Sequence, residues 1–162
     1  MTARQVTIRD AVYDQIVADE SGYVITDLEI AKTFYPRKEL ESIGTKPHVW
    51  VVAKAPSTTI EGELRAPKAV IYDFQVQVHL QQRLQPESDD FETDLETLTE
   101  LYEQLLDSCV SHTLVSGSSY LFQRIEPLQD ENAQVYSYED LTQDNKFNAI
   151  FTAFYQFQRQ PT

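Results

Sequence analysis

The residues that could do chemistry are few and scattered. Three histidines, His48, His79 and His112, lie far apart, and none has a metal-ligand neighbour two or four positions on. His79 falls on the polar side of an alternating run, where a surface or interface histidine is the simpler reading than a ligand. Cys109 is the single cysteine, which excludes an intramolecular disulfide and a cysteine-cluster metal site. It sits on the apolar stripe of an acidic helix, so a small buried side chain is expected, and the surrounding carboxylates disfavour its thiolate. Carboxylates abound, but those between Glu87 and Asp107 fall mostly on a helix exterior, where no apolar pocket would raise one as a general acid. Four glycines, none spaced as GxGxxG or GxxxxGK, exclude a phosphate-cradling loop. Gly117-Ser118 lacks the flanks of a nucleophile elbow. No catalytic, cofactor or metal site is predicted, and the chain is expected not to be an enzyme.

Charge narrows the choice of partners. The formal net charge is −13. Up to Arg83, eleven acids meet ten bases; between Arg83 and Lys146, fifteen acids meet Arg124 alone. Such a field repels phosphate, so tight binding to a nucleic-acid backbone is not expected. A solvated acidic face, a surface that must stay near DNA without sticking, and a DNA mimic are three readings of the same run. At 162 residues and 41% hydrophobic composition, with nine Tyr, eight Phe and one Trp, one domain with a packed core is predicted. No stretch approaches the ~20 apolar residues of a membrane span, nor does the N-terminus open onto an apolar signal segment. A soluble protein of a reducing cytoplasm is expected.

The elements that would position these residues are read from period. Lys68 to Leu84 alternates: Val70, Tyr72, Phe74, Val76, Val78 and Leu80 against Ile71, Asp73, Gln75, Gln77, His79 and Gln81. That is one long strand with one apolar face. After Gln85-Pro86-Glu87-Ser88 the period becomes helical, with Phe91, Leu95, Leu98, Leu101, Tyr102, Leu105 and Cys109 on one stripe. A first helix is predicted over about Thr7–Ala18, and a short one near Tyr138–Leu141. Strands are predicted at His48–Lys54, Tyr120–Ile125 and Phe147–Gln158; Tyr23–Ile30 is ambiguous between a strand and an extended connection. Trp50 and Val52 oppose Val49 and Val51, so the His48 strand is apolar on both faces. The last strand likewise carries aromatics on both. Such a strand is either central or covered by another subunit. Ala55–Pro67 reads as a protruding polar loop, with Glu61, Glu63 and Arg65 inside it and Lys54 and Lys68 at its ends. The fold class is α+β: a mainly antiparallel sheet of about four strands with helices packed on one face.

In this order the pieces resemble the tail-terminator (tail-completion, head–tail joining) proteins of long-tailed bacteriophages. The resemblance runs from about Ala31 to Arg159. It rests on Ala31-Lys32-Thr33-Phe34-Tyr35-Pro36-Arg37-Lys38-Glu39-Leu40-Glu41, on Val49-Trp50-Val51-Val52-Ala53-Lys54 and on Tyr72-Asp73-Phe74-Gln75-Val76-Gln77-Val78 with Gln81-Gln82-Arg83-Leu84. The acidic helix with Leu95, Leu98 and Leu105 and the strand Phe147-Asn148-Ala149-Ile150-Phe151-Thr152-Ala153-Phe154-Tyr155 complete it. Residues 1–30 and 129–145 fall outside the likeness. The resemblance implies a virion protein, assembled in the host cytoplasm, that forms a hexameric ring. The ring would cap the tail tube, join it to the head or neck, and let genomic DNA pass without tight binding. Its partners would be copies of itself, the tail tube protein and neck or connector proteins, with no membrane and no cofactor. A head-completion or neck adaptor and an acidic DNA-mimic inhibitor are the competing readings. Ring closure needs two different faces that meet, and Trp50, Lys54, Glu61, Glu63, Arg65, Lys68 and Phe154 are the interface candidates.

Overall fold

The computed structural model describes residues 4–34, 46–55, 57–61, 69–110, 120–128 and 135–159. Among these residues three α-helices, α1 (Arg4–Asp19), α2 (Phe91–Val110) and α3 (Tyr138–Asp144), accompany six strands: β1 (Glu29–Thr33), β2 (His48–Ala53), β3 (Ser57–Glu61), β4 (Ala69–Arg83), β5 (Leu121–Pro127) and β6 (Lys146–Arg159). The fold is α+β, as expected. All six strands form one sheet in the order β1-β2-β4-β6-β5, with β3 beside β4.

The long alternating run dictates the rest. β4 has 15 residues, about 50 Å at the usual rise per strand residue. It pairs antiparallel with β6 from Val70↔Arg159 to Arg83↔Lys146 without a slip. Its opposite edge is longer than β2 can cover. β2 takes the half from Gln81 to Val76, and β3 takes the half from Asp73 to Ala69. The Lys54 N–H still bonds the Gln75 carbonyl at 3.1 Å, but the register then shifts by one residue between Ala53↔Val76 and Ser57↔Asp73. This corrects the expected loop. Five residues of the Ala55–Pro67 connection, including the β-branched run Thr58-Thr59-Ile60, form a strand because β4 offers them an open edge. The remaining candidates of that segment, Glu63, Arg65 and Lys68, lie outside the described residues. The Arg37–Ile43 piece and the Ser116–Ser119 turn also lie outside them.

The expected four strands are β2, β4, β5 and β6, close to the predicted boundaries. The sheet is mixed because β1 runs parallel to β2, Glu29↔His48 through Thr33↔Val52. β1 begins at Glu29, at the end of the ambiguous Tyr23–Ile30 segment. β5 extends to Pro127, which its edge position tolerates, and carries a bulge between Phe122 and Arg124.

Both long helices lie on one face. α1 buries Ile8, Ala11, Val12 and Ile16, and α2 buries Leu98, Leu101, Tyr102, Leu105 and Cys109. Beneath them sit Val49 and Val51, then Phe74, Val76, Val78 and Leu80, then Phe147, Ala149, Phe151, Ala153 and Tyr155, all in one core. The predicted group Val76, Val78, Leu98, Leu105 and Phe151 is therefore together, each at most 1% exposed. The period of two on the sheet and the 3.6 period of the helices present matching apolar surfaces. At the start of α2 the Asp90 N–H bonds the Ser88 hydroxyl at 3.3 Å, and Glu92 and Asp94 lie in its first turn, which suits the helix dipole. α3 is capped by Ser137, whose hydroxyl accepts from the Asp140 N–H, and ends on Asn145 at φ 53°, a left-handed position that asparagine tolerates.

Candidate functional site

The sheet face away from α1 and α2 carries the chemistry that the core does not. Register places its side chains in rows. Trp50, His79 and Ile150 form one row, and Val52, Gln77, Thr152 and Glu126 the next. Gln75 pairs with Phe154, and Phe154 with Arg124. At the end of the ladder Arg83 faces Lys146. Most of this face is half-buried, although Val52 is fully buried. Amides knit its middle: Gln81 donates to Asn148 at 3.2 Å, Asn148 to Asp140 at 2.8 Å, and Gln156 to Asp73 at 3.4 Å.

Three polar arrangements stand out within it. The Arg124 guanidinium lies 3.9 Å from the Phe154 ring centre and bonds Glu126 at 2.8 Å, a stacked and paired cation. His48, 4% exposed, holds its Nδ1 2.8 Å from a Glu29 carboxylate oxygen, a contact between β2 and β1 beside the Trp50 ring at 6.4 Å. His79 is pushed down to about 4, first by burial and then by the Lys54 charge, with its Nε2 at 3.3 Å from Gln77 Oε1. It is neutral at physiological pH. The Trp50 indole nitrogen is buried with no hydrogen-bond partner among the described residues.

Cys109 is fully buried, and burial pushes its thiol up to about 12, so the expectation of a small buried side chain holds and a nucleophile is disfavoured. Glu92, Glu96, Glu100, Glu103 and Asp107 are exposed on the outer side of α2. Two open hollows border that helix. One of about 340 Å³ is lined by Asp19, Tyr23, Gln104, Asp107 and Ser108; one of about 400 Å³ is lined by Glu92, Leu95, Glu96, Glu103 and Tyr136. Among the described residues no group of three or more His, Cys, Asp or Glu is placed to hold a metal ion, and no helix is long and apolar enough to cross a membrane.

Of the sequence-derived interface candidates, Trp50 and Phe154 share the far face, and Lys54 follows β2 close enough to shift His79. Glu61 ends β3 on the edge of the same sheet. Sequence reasoning missed His48–Glu29, Arg124–Phe154 and the Arg83–Lys146 rung. Each is a pairing across strands, visible only when register is known, and no one of the five strands carries it in its own sequence.

No protein-family description matches the chain, and no curated protein matches it. A chain in a solved structure, the virion of a native gene transfer agent particle, matches 96% of this chain and 99% of its own length, at 17% sequence identity and a TM-score of 0.43.

Proposed function

We propose that the chain is a virion structural protein that closes into a hexameric ring at the end of a bacteriophage tail tube and joins that tube to the head. The resemblance to tail terminators along Ala31–Arg159 supports this, and one observation carries it. Among the described residues, no long helix covers the far face of the sheet, yet that face holds Trp50, Ile150 and Phe154 among half-buried amides. Aromatic side chains and arginine, as where Arg124 lies on Phe154, are enriched in protein interfaces. A ring subunit must present one surface to one neighbour and a different surface to the other, and a sheet with both of its long described helices on one side has two unlike faces. The tail tube protein and a neck protein would meet the ends of the ring. Genomic DNA would pass through it, repelled by the carboxylates. The chain has no catalytic role in this assembly.

Gold-labelled antibody against the protein, applied to intact virions, tests the assignment. Label confined to the head–tail junction is expected, and loss of the protein should leave filled heads and free tails. Label on the head side of the neck alone would favour a head-completion adaptor. Label along the tail or over the capsid, or normal virions without the protein, would overturn the assignment.

A further inference from the structure

We infer that the far face of the sheet binds the acidic outer side of α2 from a second copy of this chain, which makes this the contact that repeats around the assembly; the inference rests on the ring proposed above and names its surfaces.

The described cations divide into two groups. Arg9 and Lys32 contact Asp10, Lys46 contacts Asp27, and Arg124 contacts Glu126. Arg4 stacks on Tyr72 and Phe157. Lys54, Arg83 and Lys146 have no acidic partner among the described residues. All three belong to the far face: Lys54 by its charge on His79, and Arg83 and Lys146 by the alternation that puts Leu80, Gln82 and Phe147 on the helix side. Arg83 and Lys146 are cross-strand partners. Two like charges in directly opposed positions destabilise the subunit that bears them, so an external carboxylate would relieve that repulsion.

The matching charge is on the other side of the molecule. From Leu84 to Val110 there are nine acids and no base. Glu92, Glu96, Glu100, Glu103 and Asp107 follow one another at helical spacing and are exposed, because Leu98, Leu101, Leu105 and Cys109 hold the opposite side of α2 on the core. Length agrees as well as sign. Glu92 to Asp107 spans about 22 Å of helix, and the rungs from Gln75, beside Lys54, to Arg83 span about 26 Å of strand. The two surfaces point in opposite directions on one subunit. Joining them is therefore heterologous, and repetition generates a ring or a helix rather than a closed pair. Ile150, on the His79 rung between the cations, and Phe154, on the Gln75 rung beside Lys54, supply apolar area in the same contact.

The test uses the intact chain, mixed half ¹⁵N-labelled and half unlabelled, coupled with a carbodiimide that joins carboxylates to amines at zero length. Mass spectrometry should find mixed-isotope links from Lys54 or Lys146 to peptides of Glu92–Asp107. In sedimentation, Arg83→Glu with Lys146→Glu should weaken self-association about tenfold or more, as should Glu96→Lys with Glu100→Lys, and the four changes together should recover most of it. Association should also weaken with added salt. Circular dichroism confirms that each variant is folded. Oligomers whose links avoid these peptides, or charge variants that associate as the parent does, overturn this contact and leave the ring itself standing. A chain that is monomeric at every concentration overturns the contact, while the virion labelling decides the ring separately.

Discussion

The Tyr155 hydroxyl donates a 2.8 Å hydrogen bond to the main-chain carbonyl of Cys109. That carbonyl lies in the last turn of α2, where helical partners run out, and Tyr155 is 1% exposed. The bond therefore fastens the middle of β6 to the end of α2 where water cannot replace it. Tyr155→Phe removes only the donor and leaves a buried acceptor unpaired, a loss expected at about 1–3 kcal/mol. Chemical denaturation measures it, and an unchanged midpoint would show that another donor serves the carbonyl.

Leu98 is 1% exposed between α2 and the sheet. Leu98→Ala should lower stability by about 2–5 kcal/mol, the spread reflecting how far the surrounding side chains relax into the gap. A thermal melt within error of the parent would remove α2 from the core.

Arg4 places its guanidinium 4.6 Å from the Tyr72 ring centre and 4.8 Å from that of Phe157, so it holds the start of α1 to β4 and β6. Phe157 in turn packs on Tyr120 at 5.7 Å. Arg4→Ala should cost about 1 kcal/mol, a fall of about 2–4 °C in melting temperature for a chain of this size. Arg4→Lys should lose less. Equal losses in both variants would point to the guanidinium plane rather than the charge.

His79 makes stability depend on pH in a defined window. Its ordinary value of 6.5 falls to about 4 in the folded chain. Between those values the unfolded chain binds the proton and the folded chain does not, so stability rises with pH there. The contribution is complete above about 6.5 and is lost as pH falls to about 4, amounting to at most about 3 kcal/mol. The difference in unfolding free energy between the parent and His79→Gln, followed from pH 4 to 7, isolates this histidine from other titrating groups. A pH-independent difference would mean that the ring is hydrated in the folded state.

Much of the architecture was legible because it is written in short-range periods. Six apolar residues at every second position from Val70 to Leu80 specify a strand with one buried face. The stripe from Phe91 to Cys109 specifies the helix that covers it, and Cys109 was read as buried from its place on that stripe. β3 was hidden because Ser57–Glu61 has a polar composition and no alternation. Those residues become a strand when the long edge of β4 supplies partners for their backbone groups. β1 was blurred for a related reason, since five residues at a sheet edge leave a weak pattern.

What the sequence determined by itself was which residues seek the interior, and hence that one face of a long sheet is covered by two helices while a surplus of carboxylates stays in water. Those properties belong to single residues and their near neighbours. The tertiary structure alone decided which residues meet across strands: Arg83 with Lys146, Trp50 with His79 and Ile150, Arg124 on Phe154. A one-residue change in register would exchange the two faces of a strand. The far face therefore exists as a surface only once the pairing of β2, β4, β5 and β6 has been made, and no local pattern in any one of them contains it.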